Sequence, residues 1–142
     1  MGISSSTEIK FYEFPGNFIN EVITLLVSHG WKVSSYLALG QEPGDDMKSF
    51  TDLNSLLEEL NKKDKRKETI CLYINYGDSL IGGHLFIYRQ KMVIDIGWFS
   101  DRQIIEEAPR FNTDFSWYTP KLLLPFYKSK LQITGIKHED CD

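Results

Sequence analysis

The sequence predicts an α+β domain, a largely antiparallel sheet with helices packed mainly on one face. Three observations carry this. Residues 70–98 alternate in side-chain type through three consecutive stretches, the period of half-buried strands. Segments 18–26 and 53–60 instead repeat apolar residues at three- and four-residue spacing, the period of a helix. A chain of 142 residues, 42% hydrophobic and 25% charged, suits one globular domain with its own core.

Residues 8–14 form a first strand, with Ile9 and Phe11 on one side, and Pro15-Gly16 ends it. Asn17 then caps a helix. Its stripe is Phe18, Val22, Leu25 and Leu26, widened by Ile19 and Ile23, and Gly30 closes it. His29 at that end complements the helix dipole. Residues 31–39 return as a strand, and 40–48 are a polar loop turned by Pro43-Gly44. Ser49 or Thr51 caps a second helix whose stripe is Leu53, Leu56, Leu57 and Leu60. That helix fades into Lys62-Lys63-Asp64-Lys65-Arg66-Lys67, a solvated basic run.

The three-strand meander follows. Gly77-Asp78-Ser79 makes its first turn and Gln90-Lys91 its second. The second turn sets Ile87 opposite Ile94, Leu85 opposite Ile96, Phe86 opposite Asp95 and Tyr88 opposite Val93, so aliphatic meets aliphatic. Ser100-Asp101-Arg102-Gln103 has the form of a capping box and predicts a helix over 101–107, ending before Pro109. Residues 110–118 are aromatic and irregular. Thr119-Pro120 starts a short helix that Pro125 limits or kinks. Residues 131–136 form a last strand. The predicted order is β-α-β-α-β-β-β-α-α-β, with no internal repeat and no dividing linker. Residues 1–142 are one domain, with 1–7 and 138–142 expected to be flexible.

Function is sought on the sheet face opposite the aliphatic one. That face carries Cys71, Tyr73, Asn75, His84, Phe86, Tyr88, Val93 and Asp95. A net charge of −4 and a pI near 5.4 argue against direct nucleic-acid binding and fit a basic protein partner. Two cysteines without a secretory leader read as reduced thiols. No apolar run reaches the roughly 20 residues that span a bilayer. The expectation is a cytoplasmic protein with no membrane contact. There is no CxxC, HExxH or EF-hand loop, and His138 with Cys141 falls short of a zinc set, so no metal and no cofactor are expected.

Catalysis would have to use His84 with Asp95, a pocket over Asn75, and Cys71 or Ser79 as nucleophile. Ser79 lacks the nucleophile-elbow pattern, and a thiol within a strand is usually packed. The sequence favours a binding protein over an enzyme; the alternative is a small-molecule-binding or hydrolytic domain with a pocket around His84 and Asp95. Residues 95–118 place Asp95, Asp101, Glu106, Glu107 and Asp114 among many aromatics, opposed only by Arg102 and Arg110. Aromatic residues anchor protein interfaces and carboxylates steer a basic partner. The expected partner-binding residues are those five acids with Tyr73, Tyr88 and Trp117.

A small, acidic, aromatic-rich α+β domain without a catalytic signature resembles the bacterial immunity proteins that neutralise polymorphic toxins, among them the partners of contact-dependent inhibition and type VI effectors. The resemblance covers the whole chain in size, charge and texture and carries over no individual residue. It implies a tight complex with a cognate toxin domain, often a basic nuclease, that masks the toxin's active site or holds it inactive.

Overall fold

The computed structural model describes residues 4–99, 101–106 and 112–141, and it has the predicted α+β architecture. Six strands form one sheet: β1 (Ser4–Phe11), β2 (Trp31–Tyr36), β3 (Ile70–Tyr76), β4 (Gly82–Tyr88), β5 (Val93–Trp98) and β6 (Ile133–Cys141). Their spatial order is β2-β3-β4-β5-β1-β6, and every neighbouring pair is antiparallel.

Period-two alternation turns Ile9, Phe11, Leu72, Ile74, Leu85, Ile87, Ile94 and Ile96 to one face. Helix α1 (Phe18–Ser28) buries Phe18, Ile19, Val22, Ile23 and Leu26 in the core this face forms, and α2 (Leu53–Lys65) adds Leu56 and Leu60. A third helical segment comprises α3 (Phe115–Tyr118), a π-helical turn (Thr119–Leu123) and α4 (Leu124–Lys128). It contributes Tyr118, Leu122 and Phe126 to the same core. Each such side chain gains about 1.5–3 kcal/mol on leaving water, which is why the helices gather on this face. No described helix is long and apolar enough to cross a membrane.

The predicted hairpin register is the observed one: Ile87 lies opposite Ile94, Leu85 opposite Ile96, Phe86 opposite Asp95 and Tyr88 opposite Val93. A 3-10 turn at Arg89–Lys91 closes it, followed by Met92 in the left-handed region at φ 53°. Met92 belongs to the turn and is 37% exposed. Gly82 and Gly83 mark a close approach of backbones. A Cβ would meet the Ile74 carbonyl at 2.1 Å from Gly82 and the Gly97 carbonyl at 2.4 Å from Gly83.

Several local expectations are corrected. Asp52, rather than Ser49 or Thr51, caps α2 by accepting from the Asn54 and Ser55 amides. Lys63 is not solvated: it is fully buried, because it continues the Leu56–Leu60 stripe by one more turn. Its ammonium donates to the Ala38 carbonyl at 2.8 Å and lies 3.5 Å from Glu68 Oε1. Residues 101–106 form turns and an isolated bridge between Ile104 and Thr113 in place of a helix. Ser100, Glu107 and Pro109 lie outside the described residues. The last helical segment begins at Phe115, four residues before the expected start, because Asp114 caps it through the Ser116 amide. Residues 4–7 and 138–141 were expected to be flexible. They pair with each other, Ser4 opposite Cys141 and Thr7 opposite His138. Sheet pairing between distant segments overrides the local polarity that suggested fraying.

Candidate functional site

The second face of the sheet carries no described helix. Cross-strand pairing arranges it in rows. One row runs Glu8, Asp95, Phe86, Cys71 across β1, β5, β4 and β3. The next runs Ser6, Gly97, His84, Tyr73, and a third holds Lys10, Val93 and Tyr88. Aromatic rings cover the β3–β4 side. Phe86 and Tyr88, two residues apart on β4, stack with centroids 5.8 Å apart and planes at 4°. His84 and Tyr73 each pack against Phe99 with centroids 4.9 Å apart. Gly97 leaves a gap between His84 and Ser6, where an added Cβ would meet nothing within 4 Å.

Charge on this face is graded. Asp95 has its carboxyl raised above the ordinary range, first by burial among these rings and then by Glu8 beside it, with Lys91 acting in the opposite sense. Glu8 is itself 3.7 Å from Lys10, and Lys137 on β6 is 2.9 Å from Glu139. The Tyr88 hydroxyl is pushed up by burial and by Asp95.

The expected site residues separate into two groups. Tyr73, Asn75, His84, Tyr88 and Asp95 lie together on the open face. Asp101, Glu106, Asp114 and Trp117 belong to the connection that crosses toward the helices, and Glu107 lies outside the described residues. Asp101 and Glu106 are exposed. Asp114 is a helix cap, and Trp117 packs against Trp31, Tyr76 and Tyr118 with the Lys121 ammonium 4.5 Å from its ring centroid. Both have structural work away from the open face.

His84 lies opposite Gly97, and its surroundings are aromatic; burial lowers its pKa. Asn75 bonds Ser34 and donates to the Gly77 carbonyl at 2.7 Å. The Ser79 hydroxyl donates to the Tyr76 carbonyl within its turn. Burial pushes the Cys71 thiol up to about 11, with Lys63 pulling weakly the other way, so no thiolate forms near neutrality.

A second cluster was missed by sequence reasoning. On the helix-bearing side of β1 and β6, Ser5, Thr7, His138 and Asp140 meet Trp98, Arg102 and Thr113. His138 Nδ1 is 2.8 Å from Thr7 Oγ1, which also accepts from the Trp98 indole at 2.9 Å. His138 Nε2 is 2.9 Å from Asp140 Oδ1 and 3.3 Å from Ser5 Oγ. Asp140 accepts from the Thr113 amide at 2.9 Å and its hydroxyl at 2.8 Å. Burial alone would raise the Asp140 carboxyl. The Thr113 amide, His138 and the two hydroxyls outweigh it and hold the group well below the usual carboxylate range. The Ser5 hydroxyl and the Asp140 carboxylate thus share Nε2 of His138, while the Thr7 hydroxyl faces Nδ1. The available signal was the period-two continuation of the predicted last strand from Ile136 to His138 and Asp140, two residues that the sequence reading leaves in a flexible end.

Among the described residues, no group of three or more His, Cys, Asp or Glu side chains is placed to hold a metal ion. No protein-family model, no curated protein and no solved structure matches this chain.

Proposed function

We propose that the protein is an immunity-type binding protein that neutralises a basic toxin domain, such as a nuclease, by docking it on the open face of the sheet. The observation that carries this reading is a half-buried aromatic layer that no described helix covers, formed by Tyr73, His84, Phe86, Tyr88 and Phe99, beside the partly buried carboxylate of Asp95. Aromatic rings of this kind anchor protein interfaces. Asp95 supplies charge complementarity to a basic partner, and the exposed Asp101 and Glu106 add to the field that steers its approach. Inhibition is steric and electrostatic, without turnover or cofactor, and takes place in the cytoplasm.

The test is a titration of the purified chain with the protein that co-purifies with it from its native host, beside variants Tyr88→Ala, Phe86→Ala and Asp95→Lys. Each variant is expected to keep the wild-type circular dichroism and to weaken binding at least about tenfold, the range of an interface anchor. Affinity unchanged in all three would remove the open face from the interface.

A further inference from the structure

The two edges of the sheet differ. On β2, the Tyr36 amide and carbonyl are both engaged by Lys48, and the strand is bulged between Val33 and Ser35. Both devices blunt an edge against further pairing. β6 is nine residues long, and its register shift is confined to the end near Phe11. From Gly135 to Cys141 it runs regularly against β1 and, among the described residues, pairs with nothing on its other side.

Which backbone groups face outward follows from β1. Phe11 donates to Met92 next to β5, while Tyr12 donates to Gln132 at the approach to β6. Neighbouring residues of a strand address opposite sides, so the even-numbered residues of β1 bond β6. Their partners Gly135, Lys137, Glu139 and Cys141 are thereby satisfied. The amides and carbonyls of Ile136, His138 and Asp140 face away from the sheet.

We propose that this edge pairs with β6 of a second copy of the chain, antiparallel about a two-fold axis at His138. A self-pairing must match outward groups with outward groups, which leaves a few registers. An axis at Lys137 sets that lysine against its own copy, and one at Glu139 sets two glutamates together. An axis at His138 sets Lys137 opposite the partner copy's Glu139, twice by symmetry, in the closely spaced positions of the ladder, so that the in-chain Lys137–Glu139 ion pair extends across the seam into a four-charge array. Charge complementarity thus selects one occupant and one register. The product is a twelve-stranded sheet whose two open faces are continuous.

The test is sedimentation equilibrium of the full chain with Lys137→Glu, Glu139→Lys and the double swap. The Lys137 and Glu139 side chains are 67% and 52% exposed, so the substitutions leave the core intact. The wild type is expected to dimerise. Each single reversal should raise the dimer dissociation constant roughly tenfold, and the double swap should restore it. In hydrogen exchange, the amides of Ile136, His138 and Asp140 should gain protection as concentration rises. A wild type that stays monomeric at millimolar concentration overturns the proposal. So does a dimer indifferent to the single reversals, or one in which those three amides remain unprotected.

Discussion

The indole N–H of Trp31 donates to the Lys121 carbonyl at 2.9 Å. Four residues beyond Lys121 lies Pro125, which has no amide to offer that carbonyl. A buried edge-strand tryptophan therefore completes the hydrogen bonding of the proline-interrupted helical segment, which also relaxes into a π-helical turn at Thr119–Leu123. Trp31→Phe keeps an aromatic ring and removes the donor. It should cost about 1–3 kcal/mol in urea unfolding at pH 7. A smaller loss would mean that water serves the carbonyl equally well.

The Asp140 cluster predicts acid sensitivity. A carboxylate whose folded pKa is depressed contributes stability that is complete above the unfolded value of about 3.9 and is lost as pH falls toward the folded one. Stability of the wild type should therefore decline below about pH 4. Asp140→Asn should be less stable at pH 7 by about 2 kcal/mol, and the difference should shrink on acidification. Urea midpoints of both proteins between pH 7 and pH 2 provide the measurement.

Asp95 has the opposite sign. Its folded pKa is raised, so its ionised form is disfavoured by folding and the stability it withholds returns as pH falls. Asp95→Asn should raise the thermal midpoint at neutral pH while weakening partner binding, and the stability gain should vanish at pH 3. An acid retained at a cost to stability is expected where electrostatic recognition demands it. A neutral-pH midpoint equal to or below that of the wild type would contradict this assignment.

The glycines of β4 and β5 should respond differently to an added methyl group. Gly83→Ala drives a Cβ into the Gly97 carbonyl and should destabilise by more than about 2 kcal/mol. Gly97→Ala enters open space and should fold normally. Its methyl would stand in the gap between Ser6 and His84, so any loss of affinity there would test the proposed docking face directly.

Thiol chemistry supplies a further check. With the Cys71 thiol pushed up to about 11 and buried, a disulfide reagent at pH 7.5 should titrate one thiol quickly, that of exposed Cys141. Cys71 should react only at the rate of unfolding. Rapid reaction of two thiols in the native protein would show that the β3–β4 ring layer opens.

The elements legible in the sequence were those fixed by neighbours along the chain. The β4–β5 register followed from matching Leu85 and Ile87 with Ile96 and Ile94, a local hairpin decision. The open face followed from the same alternation, which placed Tyr73, His84, Tyr88 and Asp95 together. What escaped was set by distant contacts. Ser5 and Thr7 read as part of a flexible segment, because their partner His138, more than 130 positions later, is invisible to local pattern. Lys63 looked solvated because its charge outweighed its place in the Leu56–Leu60 stripe. Asp114 and Trp117 were assigned to an interface because composition alone cannot separate a helix cap and a core ring from surface recognition.

The position of β1 between β5 and β6 separates the order of synthesis from the order of assembly. When Ser4–Phe11 leaves the ribosome, neither flanking strand exists. The meander β2-β3-β4-β5 and α1 can gather from nearer neighbours, while Ile9 and Phe11 remain exposed to water. Closing the sheet then requires the first strand to be captured by the last, the pairing of highest contact order in the molecule. That step completes the hydrophobic layer, so nascent chains halted before Ile133 should carry an unsatisfied edge on β1 and be the species that molecular chaperones hold.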